Sequence, residues 1–144
     1  MRLTFVDTSG WIALVVVSDS LHQEATQTYQ SKYTEGCHFI THQGVMLEVG
    51  NSCSSLRLRS AAVGLKNKLA KSNRVRVLEI DEELYEAGWK LYAERTDKDW
   101  GIVDCISFVL MQRYGITEAL TADRHFKQAG FIKQIGRASC RERV

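Results

Sequence analysis

The chain has 144 residues, of which 44% are hydrophobic, and this is enough for one domain with a sizeable core. Its longest apolar run, residues 11–17, is too short to cross a bilayer and follows no basic stretch, so we predict neither a membrane span nor a signal peptide. Four cysteines without Cys-x-x-Cys spacing do not suggest a disulfide scaffold and indicate reduced thiols in a cytoplasmic protein.

The net charge of +2 comes entirely from the last nine residues, 136–144, which carry three arginines and one glutamate. The preceding 135 residues are neutral, with 16 basic and 16 acidic side chains. Because the tail has no hydrophobic periodicity and resembles a cloning or read-through scar, we predict a single domain over residues 1–135 and exclude the tail from functional reasoning. If it is native, it is a basic tail.

The first half of the chain alternates between apolar runs and amphipathic segments. Residues 3–6 are almost continuously apolar, as in a buried strand of a parallel sheet. Asp7, Thr8 and Ser9 then provide capping side chains for a helix that runs to Val17. The next predicted elements are a helix at 21–33, a strand at 38–41, a helix carrying Glu48 at 43–56 and a lysine-rich helix at 60–71.

The second half continues this alternation and decides the predicted fold class. Its predicted elements are a strand at 75–80, a helix at 82–94, a loop at 97–101, an apolar helix at 102–113 stopped by Gly115, a strand at 116–121, a short helix from Asp123 and a last strand near Phe131. Strands that alternate with helices throughout predict a three-layer α/β/α sandwich with a mainly parallel sheet.

A basic segment lies between Glu48 and Glu79, where the chain has no acid. Its basic residues are Arg57, Arg59, Lys66, Lys68, Lys71, Arg74 and Arg76. Such a segment can bind a polyanion locally even when the protein is neutral as a whole. A solvated helix face, balanced by the acidic residues that follow at 79–86, is the alternative.

Four carboxylates that are far apart in sequence are predicted to meet at one edge of the sheet: Asp7, Glu48, Asp104 and Asp123. Asp7 ends the first strand and Asp123 follows a later one, and in such sheets ligands bind outside the carboxyl ends of the strands. Carboxylates about 4 Å apart repel by roughly 4 kcal/mol per pair at an effective dielectric near 20. A divalent cation would relieve this repulsion, and oxygen ligands with no histidine or cysteine beside them favour Mg²⁺ or Mn²⁺.

Each acid also has a structural interpretation. An aspartate between a strand and a helix, such as Asp7 or Asp123, is an ordinary N-cap, and Asp104 in a first turn gains from the helix dipole. The helix around Asp104 is apolar almost all round, however, so a charge there is expected to need a partner. Ser107, one turn later, could hold a metal-bound water or a phosphate oxygen. Glu48 could point to solvent.

Four motifs, in this order, resemble those of PIN domains, and most closely those of the VapC-type toxins of bacterial toxin–antitoxin pairs. They are Phe5-Val6-Asp7-Thr8-Ser9, Glu48 in a helix after a short Thr-containing strand, Trp100-x-x-x-Asp104-Cys105-x-Ser107-Phe108, and Leu120-Thr121-x-Asp123-x-His125-Phe126. The resemblance covers residues 2 to about 133. Two departures are Gly101, where relatives often have a capping serine, and Gln43-Gly44, which open the Glu48 helix where relatives are usually more apolar.

The resemblance implies a Mg²⁺- or Mn²⁺-dependent endoribonuclease, a homodimer, and inhibition by a small DNA-binding antitoxin. The family's four acids map onto Asp7, Glu48, Asp104 and Asp123. We expect Asp7 and Asp104 to bind metal directly, Asp123 to be a ligand or a water-holder, and Glu48 to be a ligand or a base.

Other side chains are assigned supporting roles around these acids. The hydroxyls of Thr8, Ser9, Ser107 and Thr121 are expected to orient water and carboxylates, with local capping as the alternative. The expected contacts to the RNA backbone are Arg57, Arg59, Lys66, Lys68 and Lys71, within a basic segment that reaches Arg76. For His125, Trp11 and Trp100, structural roles are favoured over substrate contacts.

Three other functional classes were weighed. A PIN-fold module that binds RNA or protein without cleaving is the main alternative. A phosphoacceptor receiver domain needs paired acids at the first strand and a lysine after the last, and neither is present. A haloacid-dehalogenase-type phosphatase needs Asp-x-Asp after the first strand, whereas this chain has Asp7-Thr8-Ser9.

Overall fold

The computed structural model describes residues 1–136, which form five strands and seven helices. The elements are β1 (Leu3–Val6), α1 (Thr8–Val15), α2 (His22–Thr34), β2 (His38–His42), α3 (Gln43–Ser52), α4 (Leu56–Lys71), β3 (Val75–Leu78), α5 (Glu82–Glu94), α6 (Ile102–Arg113), β4 (Glu118–Leu120), α7 (Arg124–Gln128) and β5 (Ile132–Lys133). The predicted tail lies outside the described residues, apart from Gly136.

The sheet has the strand order β3-β2-β1-β4-β5, and every described pair of neighbours is parallel. Phe5 of β1 pairs with Ile40 of β2 on one side and with Ala119 of β4 on the other. When this register is continued by two residues, Asp7 lies level with His42 and with Thr121. The carboxyl ends of the three central strands therefore meet at one edge, as the sequence predicted.

Two groups of helices flank the sheet, so the predicted α/β/α fold is confirmed. Helix α1 packs against α2, α3 and α4, while α5 packs against α6, and α6 against α7. Glycines allow two close approaches. A Cβ on Gly10 of α1 would collide with the carbonyl oxygen of Leu120 in β4, and a Cβ on Gly88 of α5 would collide with the side chain of Ile106 in α6. The helix that follows Asp7 is thus held directly against the strand that precedes Asp123.

Both tryptophans of the predicted motifs are buried. Trp11 is 2% exposed and belongs to the core, and Trp100 is 6% exposed. The indole N–H of Trp100 donates to Oε1 of Gln128 at 3.0 Å, and its ring packs edge-on against Phe108. The structural interpretation of both side chains is therefore confirmed. Neither ring has a face free for stacking on a base.

Several predicted boundaries are wrong, and local contacts explain them. Helix α1 ends at Val15 rather than Val17, because β-branched residues restrict χ1 in a helix. The predicted helix at 43–56 instead ends at Ser52, and α4 begins at Leu56, four residues earlier than predicted. The predicted strands at 75–80 and 116–121 are shorter at Val75–Leu78 and Glu118–Leu120. Ile116 donates its N–H to the Met111 carbonyl and so completes the end of α6.

Two global expectations can be compared with the described part of the chain. Cys37, Cys53 and Cys105 are buried and unpaired, whereas Cys140 lies outside the described residues. Within residues 1–136, the helices are too short or too polar to cross a bilayer.

Candidate metal centre

The four predicted acids reach the carboxyl edge of the sheet from four different elements. Asp7 directly follows β1, and Asp123 lies between β4 and α7. Asp104 is in the first turn of α6, and Glu48 is in the second turn of α3. Each side chain has a contact that fixes its place at this edge.

Asp7 is buried at the centre of the site and is only 4% exposed. Its N–H donates to the carbonyl of Leu120 at 3.2 Å, which extends the pairing of β1 with β4. Although Asp7 is the N-cap residue of α1, its carboxylate accepts no capping hydrogen bond from the N–H groups of the second and third helical residues. Instead, Oδ2 accepts a hydrogen bond from the Thr121 hydroxyl at 3.1 Å. The capping interpretation of Asp7 is therefore wrong, because the side chain points to β4 rather than back over its own helix.

The charge of Asp7 is held in an unfavourable environment. The pKa of Asp7 is raised from 3.8 to about 7, mainly by burial and also by the charges of Asp104 and Asp123, while hydrogen bonding from the Thr8 amide and the Thr121 hydroxyl opposes the shift. Asp104 has a raised pKa for similar reasons: burial first, then the charge of Asp123, with His125 opposing them. Repulsion between neighbouring acids is the arrangement that a bound cation would relieve.

The hydroxyls of Ser9 and Thr121 form a connected network beside Asp7. A hydroxyl has one hydrogen to donate and two lone pairs to accept with. Thr121 donates to Asp7 and accepts from the N–H of Asp123 at 3.0 Å, so Ser9, at 3.1 Å, must donate to it. The Ser9 oxygen in turn accepts the N–H of Ala122 at 2.9 Å. This network joins the Asp7 carboxylate to the backbone that carries Asp123.

Asp104, Asp123 and His125 form the tightest group. One potential ligand atom from each lies within 4.8 Å of the other two. Nδ1 of His125 is 2.9 Å from Oδ2 of Asp104 and 3.4 Å from Oδ1 of Asp123. Because a carboxylate only accepts, Nδ1 carries the hydrogen and donates it to Asp104. Asp104 also accepts the N–H of Gly101 at 3.2 Å, so Gly101 contributes through its backbone although it has no capping side chain.

His125 contacts the acids directly, which the sequence did not predict. Its N–H is capped by Oδ1 of Asp123 at 2.9 Å, so the capping interpretation of Asp123 is correct, and the same turn directs the imidazole onto Asp104. The expectation that no histidine lies beside the acids was therefore wrong. The sequence feature that could have indicated this contact is the position of His125, two residues after Asp123 and directly before the buried Phe126.

Glu48 joins the site through Thr8. The hydroxyl of Thr8 donates to Oε1 of Glu48 at 2.6 Å, and both residues are half-buried. Because Thr8 follows Asp7 directly, this contact directs the Glu48 side chain toward the site and away from bulk solvent.

Ser107 does not have its predicted environment. It is 0% exposed, and its hydroxyl donates to the Val103 carbonyl at 2.8 Å while lying 2.8 Å from Nε2 of His42. The prediction that this hydroxyl orients a bound water or a phosphate oxygen is wrong, because the hydroxyl is buried and is already hydrogen-bonded to Val103 and His42. Thr8 and Thr121 contact the acids directly, and Ser9 acts through Thr121.

The donor set fits a hard divalent cation. Carboxylate oxygens of Asp104 and Asp123 lie within 4.8 Å of each other, and oxygen is the ligand type that suits Mg²⁺ and Mn²⁺. The nearby imidazole already donates its Nδ1–H to Asp104. Asp7 and Glu48 lie outside this group of three, at the same edge of the sheet. Burial raises the pKa of both Asp7 and Asp104; His125 partly offsets the shift at Asp104, whereas Asp7 forms no ion pair with a basic side chain in residues 1–136. A second cysteine or histidine ligand, typical of a zinc site, does not lie in this group.

Comparison with known proteins agrees with this arrangement. A family model of the PIN domain matches residues 4–132. The chain belongs to the PIN-domain family. The recognition made from its motifs is therefore confirmed.

Two relatives extend the comparison beyond the PIN domain itself. The chain is 29% identical over 134 residues to a protein of Mycobacterium tuberculosis named 23S rRNA-specific endonuclease VapC20, covering 91% of this chain and 97% of the relative. The crystal structure of that VapC20, described as a Sarcin-Ricin loop cleaving toxin, matches with a TM-score of 0.82 over 92% of this chain and 98% of the other. The predicted class of function, an RNA-cleaving nuclease of the toxin type, agrees with these relatives.

A more distant structure supports the fold alone. VapBC2 from Rickettsia felis, bound to a DNA fragment from its promoter, matches with a TM-score of 0.67 at 13% identity, over 92% of this chain and 97% of the other.

The predicted RNA contacts of this PIN domain lie on α4, and all five are exposed: Arg57, Arg59, Lys66, Lys68 and Lys71. None of the five forms an ion pair with an acid in the described range 1–136. Arg74 differs, because its guanidinium lies 3.7 Å from the centre of the Tyr33 ring and donates to the carbonyls of Tyr33 and Cys37. Its inclusion in the RNA-binding segment is corrected to a structural role.

Proposed function

We propose that this PIN-domain protein is a divalent-metal-dependent endoribonuclease, formed by residues 1–135 as a single domain and acting as the toxin of a toxin–antitoxin pair. The observation that carries the proposal is the buried Asp7, whose pKa is raised first by burial and then by the charges of Asp104 and Asp123. A fold that maintains such repulsion is explained when a cation binds there. Family membership supplies the substrate class.

The proposed ligands are Asp7 and Asp104, with Asp123 as a further ligand or a water-holder and Glu48 as a ligand or a base. When bound, Mg²⁺ or Mn²⁺ supplies Lewis acidity to a water molecule and to the phosphodiester. Thr121 and Thr8 hold the carboxylates of Asp7 and Glu48 through hydrogen bonds of 3.1 and 2.6 Å. His125 holds Asp104 through its Nδ1–H.

The proposed reaction is hydrolysis of an RNA phosphodiester. Water adds to phosphorus in line with the P–O3′ bond, and this bond breaks to leave a 5′-phosphate and a 3′-hydroxyl. Glu48 is our candidate for the base that takes the proton of the water, because it is half-buried and is held by Thr8 at the edge of the site. The 3′-oxygen that leaves takes up a proton from solvent.

The proposed partners follow from the relatives and from the charge distribution. The name of the mycobacterial relative makes ribosomal RNA the first substrate to test, and we propose that the protein acts in the cytoplasm. The exposed basic residues of α4 would hold the RNA backbone without reading its sequence. A homodimer and a DNA-binding antitoxin are further parts of this proposal, carried from the family resemblance.

The decisive experiment compares wild-type protein with Asp104→Asn on ribosomal RNA and tRNA, in Mn²⁺ and in EDTA. We expect cleavage in Mn²⁺, none in EDTA, and a loss in Asp104→Asn of more than about 100-fold, which is the upper end for residues that only support metal ligands. Mn²⁺ binding measured by calorimetry should weaken in parallel.

The matched control is Asp99→Asn, which removes an exposed aspartate five residues before Asp104 and should leave both quantities unchanged. Full activity of Asp104→Asn, or cleavage in EDTA, would overturn the proposed function. Wild-type protein that binds RNA but never cleaves it in Mn²⁺ would instead support the binding module.

A further inference from the structure

His42 is a buried histidine that touches the elements carrying three of the four acids, without touching the acids themselves. It is the last residue of β2 and lies level with Asp7 in the adjacent β1. It is also the N-cap of α3, which carries Glu48. Its Nε2 lies 2.8 Å from Oγ of Ser107 in α6, one turn after Asp104. One side chain therefore joins three of the elements that form the site.

The hydrogen bonds of His42 define one tautomer. Nδ1 accepts the N–H of Val45 at 3.3 Å, so it carries no hydrogen. The single hydrogen of the neutral ring is then on Nε2, which donates to Ser107, and the Ser107 hydroxyl donates onward to the Val103 carbonyl. The chain of donors runs in one direction from α3 to α6. Burial lowers the pKa of His42 to about 4, in agreement with a neutral ring.

Gly44 explains how the imidazole fits. A Cβ on Gly44 would lie 2.9 Å from Cε1 and 3.0 Å from Nδ1 of His42. A side chain at this position would crowd the imidazole, and one of the two would have to shift. A glycine in the first turn of a helix costs about 1 kcal/mol relative to alanine, so its presence there needs a local reason, and the histidine provides one. The departure of Gln43-Gly44 from the family pattern is thus linked to His42.

We propose that His42 is a positioning residue that sets the separation of α3 from α6 and thereby brings Glu48 and Asp104 into register with Asp7. The proposal rests on the metal site proposed above. A direct catalytic role is excluded, because the ring is 0% exposed and its two nitrogens are both occupied by protein groups. In this proposal His42 acts on the site through its contacts with α3 and α6.

The first test compares His42→Leu with His42→Gln. Glutamine keeps an N–H near the position of Nε2 that can donate to Ser107, whereas leucine has no donor. Calorimetry with Mn²⁺ should show affinity reduced about tenfold in His42→Leu, the lower end for residues that support metal ligands, and largely restored in His42→Gln. Cleavage of ribosomal RNA should show a lower kcat with little change in KM. The same pair of substitutions at His38, at the other end of β2, should change neither quantity.

The second test leaves the histidine in place. Gly44→Ala crowds the ring and should weaken Mn²⁺ binding, whereas Gly50→Ala, on the same helix with open space around its Cβ, should not. This pair keeps the proposal testable if His42→Leu fails to fold. A variant that loses thermal stability but binds Mn²⁺ like the wild type would reduce His42 to a core residue and overturn the assignment.

The third test does not depend on metal. Long-range ¹H–¹⁵N correlation spectra of the wild-type protein should show a hydrogen on Nε2 and none on Nδ1 of His42. The opposite tautomer would overturn the assignment by itself. If the wild-type protein binds no Mn²⁺ and cleaves no RNA, the proposed function fails and the positioning role fails with it. Wild-type binding that persists unchanged in His42→Leu and Gly44→Ala overturns the positioning role alone.

Discussion

Replacing Asp7 with asparagine should make the metal-free protein more stable while removing its activity. The structure gives the reason: the carboxylate is 4% exposed and adjoins two further acids, so its ionised form is disfavoured in the folded state. Asparagine has nearly the same volume, and its oxygen can accept the Thr121 hydroxyl as Oδ2 of Asp7 does. The substitution therefore removes a charge and leaves the packing in place.

The magnitude follows from linkage between folding and ionisation. The pKa of Asp7 rises from 3.8 to about 7 on folding, and each pKa unit corresponds to about 1.36 kcal/mol. Because the folded pKa is the higher one, the unfolded chain loses this proton first as the pH rises. The resulting destabilisation grows between these two pKa values and is constant above the higher one. It amounts to roughly 4 kcal/mol at pH 8, about half of that near pH 5.5, and little near pH 4.

The assay is urea unfolding in EDTA at these three pH values. Asp7→Asn should gain up to about 4 kcal/mol over the wild type at pH 8, and this gain should shrink as the pH falls. Added Mn²⁺ should stabilise the wild type through binding to the folded state, and should stabilise Asp7→Asn much less. RNA cleavage by the variant should be lost.

The control is Asp97→Asn. Asp97 is exposed, and its pKa is lowered to about 2 because it accepts a hydrogen bond from Arg95, so its substitution should bring no gain at any pH. The reasoning would be refuted if Asp7→Asn were less stable than the wild type at pH 8 in EDTA. It would also be refuted if its gain were the same at pH 4 and pH 8, because a pH-independent gain does not come from a titrating charge.

Two further predictions concern the RNA-binding surface and the packing under the site. Changing Lys66, Lys68 and Lys71 together to alanine should weaken RNA binding and reduce the slope of log K against log salt by about 2, since each phosphate contact on a single strand contributes about 0.7. Lys90→Ala on the acidic α5 is the control, and an unchanged slope in the triple variant would show that α4 does not hold the RNA backbone. Gly10→Ala should destabilise the protein by about 1–3 kcal/mol in urea, because its Cβ would meet the Leu120 carbonyl. Gly64→Ala in α4 meets nothing and should stabilise by about 0.5–1 kcal/mol, so equal stability of the two variants would contradict the close packing of α1 on β4.

Local pattern was sufficient to predict the elements of the sheet, although not their ends. The near-continuous apolar run before Asp7 and the alternation of strands with helices are properties of short segments, and they predicted a parallel sheet. The break between α3 and α4 was predicted about four residues too late in the chain, because residues 52–55 contain neither proline nor glycine. The N–H groups of Leu58 and Arg59 bond to the Ser55 carbonyl, and Cys53 is buried at the end of α3. Tertiary packing, which local propensity does not include, sets this boundary.

Part of the candidate site was likewise predictable from the sequence, and part depends on tertiary contacts. The position of Asp7 and Asp123 after strands predicted that these two lie together, because parallel strands bring their carboxyl ends to one edge. Asp104 was added from the first turn of an apolar helix, where a charge is expected to need a partner. The role predicted for Ser107 was wrong and its contact with His42 was not predicted, because the two residues lie 65 positions apart. Helix periodicity placed Ser107 and Asp104 on neighbouring positions of α6. Only the packed structure shows that the Ser107 hydroxyl is hydrogen-bonded to His42.

Two histidines, His125 and His42, contact the cluster of acids or the elements that carry it, and the charges of such a cluster oppose folding. His125 donates to Asp104 from within the cluster, and its hydrogen bond lowers a pKa that burial raises. His42 is neutral and acts from outside the cluster, through the ends of β2 and α3 and through Ser107 of α6. If the acids were held only by their own backbones, repulsion would move α6 away from β1. In the positioning role that we propose for His42, the buried link from α3 to α6 opposes that movement without adding charge, so that the acids are already in place before a cation binds.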